Sequence, residues 1–327
     1  MRRRTIILTI ALGALVALAC LLRLLIDRDP NSGVVALRWP DDSYSAFRAT
    51  AMVIGIIVGA SLATSGVLLQ ALLRNPLASP FILGISSGAG LGVMAGLYWR
   101  EELKLPMIGG NEFPAVIGAC AALAIVFALG RRRGWLDPLT LVLVGVVIST
   151  ICAAGIMFFQ HLVDKGLLTN FTRWLMGTIP DAADSSSLWT AAVVAACGLL
   201  IAFACGRAMD AATFGDDEAR SIGLSIGPLR IVLFLLAGTM TATTVALAGP
   251  IGFIGLIAPH LGRLLVGPRH RELVIAAAMI GAILILGADV ARQAIELGGG
   301  RMPIGIFTAI IGGPIFIWLL RTGRGDA

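Results

Sequence analysis

The stretch Phe81-Ile-Leu-Gly-Ile-Ser-Ser-Gly-Ala-Gly-Leu-Gly-Val-Met-Ala-Gly-Leu-Tyr98 carries no charged residue and repeats glycine at Gly84, Gly88, Gly92 and Gly96. A four-residue spacing puts all four on one face of a helix, where a second backbone can approach closely. Gly55 and Gly59 repeat the device. A bilayer core needs about 20 apolar residues at a rise of about 1.5 Å each, with roughly 17 to 25 tolerated. The stretch therefore reads as a membrane helix packed tightly among others.

The whole chain agrees with that reading. Of its 327 residues 57% are apolar and only 13% charged, where a soluble domain carries roughly 25% charged residues. A soluble enzyme, a disordered tail and a nucleic-acid binder are excluded, and lipid becomes the expected surround. Glycine is abundant at 40 residues, consistent with closely crossed helices. The fold class expected is an all-α polytopic membrane protein forming a single domain over 1–327, with ten spans. They are placed at 5–26, 50–72, 81–98, 115–129, 139–160, 188–205, 231–248, 251–266, 273–290 and 303–320.

The first span follows Met1-Arg-Arg-Arg and passes Leu18-Ala19-Cys20 without a polar break, so it reads as a retained helix rather than a cleaved leader. With the amino terminus inside, 15 of the 25 Lys and Arg residues fall in inner segments. Lys/Arg enrichment marks the cytoplasmic side. Both termini are thus expected in the cytoplasm, which requires an even number of spans.

The span interiors exclude several chemistries. All five cysteines lie in apolar stretches, where they read as packing residues, and His161, His260 and His270 are too scattered for a metal motif. No metal site is expected. Arg23, Arg263, Asp289 and Arg292 fall near span ends, so no carboxylate stands at the midplane to carry a coupling ion. The chain contains no G-x-x-x-x-G-K-[ST] and no H-E-x-x-H, and no catalytic residue and no bound cofactor are expected within it. Active transport would need energy from a partner.

Between spans six and seven, the segment 210–227 contains Asp216, Asp217 and Glu218 in succession, followed by Arg220 and Gly223. It reads either as a solvated loop or as a docking surface. In the second case Phe214, Ile222 and Leu224 supply apolar anchors, and Gly223 supplies the turn between two short helices.

Taken in order, several motifs resemble the FecCD family of ABC-importer permeases, the BtuC-like group. They are Arg74-Asn-Pro-Leu-Ala78, Leu83-Gly-Ile-Ser-Ser-Gly-Ala-Gly90, Gly215-Asp-Asp-Glu-Ala-Arg-Ser-Ile-Gly223, Ala248-Gly-Pro-Ile-Gly-Phe-Ile-Gly-Leu-Ile-Ala-Pro-His260, Gly287-Ala-Asp-Val-Ala-Arg292 and Gly312-Gly-Pro-Ile-Phe-Ile-Trp318. The resemblance implies a type II importer permease with inverted repeats, in which spans two to five and seven to ten correspond. It implies a second, identical permease subunit, two cytoplasmic ABC ATPases holding ATP and magnesium, and a periplasmic or lipid-anchored substrate-binding protein. The cargo implied is a metal chelate, an iron-siderophore complex first, with haem or cobalamin as alternatives.

The same resemblance assigns residues. Asp216, Asp217, Glu218, Arg220 and Gly223 would couple to the ATPase. Val146, Ser149, Thr150 and Thr308 would stand along the pathway or its gate. Arg48 and Arg292 would dock the binding protein, with Arg301 compensating for an arginine missing from Arg48-Ala49-Thr50-Ala51, where relatives carry R-x-P-R. Phe171 and Trp174, in Phe171-Thr-Arg-Trp-Leu-Met-Gly177, would anchor a short helix at the membrane interface. The rival from another class is an ion-coupled secondary transporter, which would work without any ATPase. A receptor-like or purely structural protein would show no uptake at all.

Overall fold

The computed structural model describes residues 3–28, 35–101, 104, 110–132, 135–295 and 302–322. Its helices are α1 (Arg3–Leu25), α2 (Asp42–Leu73), α3 (Ile85–Glu101), α4 (Glu112–Leu129), α5 (Pro138–Leu162), α6 (Lys165–Leu175), α7 (Ser185–Ala212), α8 (Asp216–Ser221), α9 (Ile226–Ala248), α10 (Ile254–Val266), α11 (His270–Ala294) and α12 (Ile304–Thr322). A 3₁₀ turn at Pro80–Leu83 leads into α3. Two short antiparallel pairs complete it: β1 (Ile26–Arg28) with β2 (Val35–Leu37), and β3 (Arg131–Arg132) with β4 (Trp135–Leu136). Among the described residues the regular structure is otherwise wholly helical. The ten expected apolar segments fall on α1 to α5, α7 and α9 to α12.

Length and hydropathy qualify α1, α2, α4, α5, α7, α9 and α11 to cross a membrane, while α10 and α12 are shorter apolar helices. Burial separates centre from periphery. In α2 72% of the apolar window is buried, and in α9 and α11 67%, against 17% in α1 and in α7. Helix α2 is the axial element, packed on α11, α9, α10 and α7.

Small residues make that centre possible, because lipid offers no hydrophobic force between helices and association rests on close backbone contact. Gly59 on α2 and Gly281 on α11 face each other so tightly that a methyl at either would overlap the other's carbonyl. Gly88 on α3 stands in the same relation to Gly118 of α4, and a methyl at Gly66 would overlap the carbonyl of Gly255 on α10. Gly92 abuts the Pro114 carbonyl of the same neighbour, and Gly96 is buried. Gly84 departs from the expected stripe: it precedes α3 at φ 73 and faces Gly145 and Ser149 of α5. Its left-handed backbone closes the 3₁₀ turn, which a helical position could not do.

The eighth span also begins later than expected. Helix α9 stops at Gly249, φ 70, and Phe253, φ 70, precedes α10, so residues 250–253 form a corner rather than a first helical turn. Phe253 is thereby held in a conformation rare for bulky residues. Gly312 of α12 lies against its ring, leaving no room for a side chain there.

Candidate functional site

At the end of the bundle where α2 stops, Arg74 caps α2 in the left-handed region, φ 48. Its guanidinium donates to the Ala212 carbonyl of α7 at 3.0 Å and to Asp216 Oδ1 at 2.5 Å. Arg230 of α9 donates to both Asp216 oxygens at 3.0 Å. One carboxylate thus gathers α2, α8 and α9, and Arg74 adds the end of α7. Such charge-assisted bonds are roughly twice as strong as neutral ones, so α8 is geared to the bundle rather than tethered to it.

The remainder of α8 faces outward. Asp217, with a side chain 94% exposed, and Arg220 form an i,i+3 pair at 3.4 Å, and Glu218 is exposed beside them. Phe214 is 76% and Ile222 69% exposed, flanking these charges, while Ala219 is buried beneath. Gly223, at φ 84, is open on all sides and leads through residues 224–225 into α9. The expected two short helices are therefore one six-residue helix followed by the long α9. Asp216 separates from its two acidic neighbours: it is an internal anchor, and they are surface.

At the opposite end lies a buried cluster that sequence reading missed. Arg23 of α1 is 1% exposed, Asp289 of α11 0% and Arg292 4%. Arg23 and Arg292 both donate to Asp289, one to each oxygen, and Arg292 also reaches the Ile179 carbonyl at 3.2 Å. Asp181 pairs with Arg23 at 3.7 Å. With its amide oxygen turned toward Arg23, Gln293 accepts from that guanidinium at 2.8 Å and donates to the Ile26 carbonyl at 3.0 Å. Ionised groups at this depth survive only when paired. The sequence signal available was Asp289 and Arg292 at i,i+3 on one helix face; Arg23 lies 266 positions away.

Two of the three docking candidates lie in or beside that cluster. Arg292 is 4% exposed, with Nε donating to Asp289 and Nη2 to the Ile179 carbonyl, so its charge is turned inward in this chain. Arg48 is half-buried, and its Nη1 donates to the Leu24 and Ile26 carbonyls at 2.9 and 3.4 Å, stitching α2 to the end of α1. Arg301 lies outside the described residues.

The pathway candidates divide. Val146 is 54% exposed and Thr150 is exposed, on a face of α5 that also presents Leu143, Val147 and Ile151. Thr150 and Ser149 donate to the carbonyls four residues back, at 3.0 and 2.9 Å, so neither hydroxyl is free to point onward. Such back-bonding is the cheapest way to satisfy a hydroxyl in lipid. Thr308 is 6% exposed and donates to the Gly305 carbonyl at 3.1 Å. The residues that follow α6 form a wedge: Gly177, φ 72, lies against the Pro250 carbonyl, and Gly305 against that of Met176. Thr178 donates its amide to the Ala248 carbonyl at 2.7 Å. Phe171 is fully buried and stacks on Trp174 at 6.3 Å, so it is an internal anchor rather than a lipid-interface ring.

Comparison with known proteins follows the same outline. A model of the FecCD transport family matches residues 5–322. The hemin transport system permease protein HmuU of Yersinia pestis is 36% identical over 85% of this chain and 82% of its own length. The cobalamin import system permease protein BtuC of Halobacterium salinarum is 36% identical over 84% of this chain and 72% of its own. The probable siderophore transport system permease protein YfiZ of Bacillus subtilis is 35% identical over 83% and 80%. Among solved structures, an inward-facing ABC transporter assigned to the metal-chelate type superposes with a TM-score of 0.82 at 28% identity, covering 97% of this chain and 99% of its own.

Proposed function

The chain belongs to the FecCD transport family, and from that membership we propose that it is the permease subunit of an ATP-binding-cassette importer that brings a metal chelate, an iron-siderophore complex, across the inner membrane. Two copies of the chain enclose the pathway, two cytoplasmic ATPases bind ATP and magnesium beneath them, and a periplasmic or lipid-anchored binding protein delivers the cargo. Both termini are cytoplasmic in this reading. The chain supplies a conduit and a lever, not a catalyst.

The observation that carries the reading is the pinned helix α8. It holds Phe214, Ile222, Asp217 and Glu218 outward while Asp216 locks its first residue to Arg74 and Arg230. A surface of apolar anchors beside charge is what a partner interface needs, and the lock carries any push on α8 into α2, α7 and α9. Arg220 and Gly223 contribute the local charge balance and the turn. On the far side Arg48 and Arg292 shape the docking face by holding α1, α2 and α11 together.

The cargo is tested by reconstituting the permease with its ATPase and binding protein in proteoliposomes and offering labelled ferric siderophores, haem and cobalamin in parallel. ATP-dependent accumulation of a ferric siderophore supports the proposal. Accumulation of haem or cobalamin instead replaces the cargo but keeps the mechanism, and accumulation of none of them removes the chelate reading.

A further inference from the structure

On the membrane face where the chain begins, α1, α10 and the start of α11 enclose a cleft of about 340 Å³ lined by Arg4, Arg263 and Arg269, together with Glu272, Thr5 and Leu8. Three arginines meet one carboxylate there. That carboxylate accepts from Thr5 Oγ1 at 3.2 Å, and none of the three guanidiniums forms an ion pair among the described residues. Arg263 is held by one arm only: Nη2 donates to Gln70 Oε1 at 2.6 Å, while Nη1 is buried without an acceptor among the described residues. A buried unsatisfied donor on a charged group costs more than its neutral counterpart and calls for an unseen partner.

We propose that this cleft binds the phosphate headgroup of an anionic phospholipid in the adjacent leaflet. An anion neutralises the positive charge that Arg4, Arg263 and Arg269 bring to the cleft in excess of Glu272. A phospholipid is favoured over a free ion because the cleft opens beside exposed apolar side chains: Leu264, which lines it, is 63% exposed, and Ile7 on α1 is 59% exposed. Basic pockets between transmembrane helices recognise acidic headgroups in this way. Since Thr5 and Glu272 already join α1 to α11, a bound lipid would clamp α1, the least buried flank of the bundle, onto its centre. The site goes beyond the transport reading and does not depend on what is carried.

The test is native mass spectrometry of the full chain released from vesicles made of equal parts phosphatidylglycerol and phosphatidylcholine. Phosphatidylglycerol adducts are expected to persist while phosphatidylcholine adducts are stripped. The variant Arg4→Gln/Arg269→Gln alters only exposed side chains and is expected to lose roughly tenfold or more of the retained phosphatidylglycerol, with unchanged thermal unfolding. Arg263→Gln is expected to do the same; because it also breaks the bond to Gln70, the double variant is the decisive comparison. Equal retention of both lipids, or unaltered phosphatidylglycerol binding in the double variant, would overturn the proposal. Displacement of phosphatidylglycerol by excess inorganic phosphate would overturn the lipid assignment in favour of a free anion.

Discussion

Arg230 donates from a single guanidinium nitrogen to both oxygens of Asp216 at 3.0 Å, so the first residue of the exposed helix α8 is fastened to the long helix α9. Arg74, from the end of α2, takes the same carboxylate from the other side. The three adjacent acids 216–218 consequently have different work, and substitutions among them separate.

Asp216→Asn should weaken the ion pairs with both arginines and cost about 1–3 kcal/mol of stability. In proteoliposomes it should uncouple the complex, leaving ATP hydrolysis while uptake per ATP falls. Asp217→Asn, at a site 94% exposed, should stay within about 0.5 kcal/mol of the parent. Thermal unfolding and an uptake-to-hydrolysis ratio measured on both variants check the difference; equal behaviour would contradict it.

At the centre, Gly59→Leu or Gly281→Leu should force α2 and α11 apart and destabilise by about 1–3 kcal/mol or more. Gly13→Ala, with nothing within 4 Å of the added methyl, should be neutral. Thermal unfolding in detergent reads both.

The buried cluster orders another set. Asp289→Asn leaves two buried guanidiniums facing a neutral group and should cost about 3–5 kcal/mol, more than Arg23→Leu, which leaves the pair of Asp289 with Arg292 intact. Arg292→Ala should lower unfolding temperature and binding-protein docking together. Loss of docking with unchanged stability would make Arg292 a direct contact.

The contrast between these sites shows what the sequence discloses. Helix positions were legible because hydropathy over a fixed length is a one-dimensional signal, and the close approach at Gly88 and Gly92 follows from spacing alone. The turn at Gly84 and the corner 250–253 were not, because both depend on left-handed residues, and Phe253 is a residue type that gives no warning of one. Arg292 and Arg23 illustrate a second limit. Nearness to a span end suggests exposure, yet Asp289 draws both inward, Arg292 from one turn away and Arg23 from 266 positions away. Asp216 and its two arginines are likewise joined by folding: Arg74 is 142 positions from Asp216. Thr308 reads as a polar lining residue, and the acceptance of its hydroxyl by the Gly305 carbonyl is seen only in the fold.

Phe214→Ala/Ile222→Ala removes the two apolar anchors flanking α8 without touching the core, at 76% and 69% exposure. Stability should change by no more than about 0.5 kcal/mol, while copurification of the ATPase should fall by at least about tenfold, as loss of interface anchors does. Retained copurification would move the docking surface elsewhere.

The most direct measurement compares concentrative uptake by liposomes holding the permease alone with uptake by liposomes holding it with its ATPase and binding protein, each under ATP and under an imposed cation gradient. Accumulation should occur only in the complete complex with ATP and should survive an ionophore. Accumulation by the isolated permease on the cation gradient, abolished by the ionophore, would show that the chain powers itself and is no passive conduit.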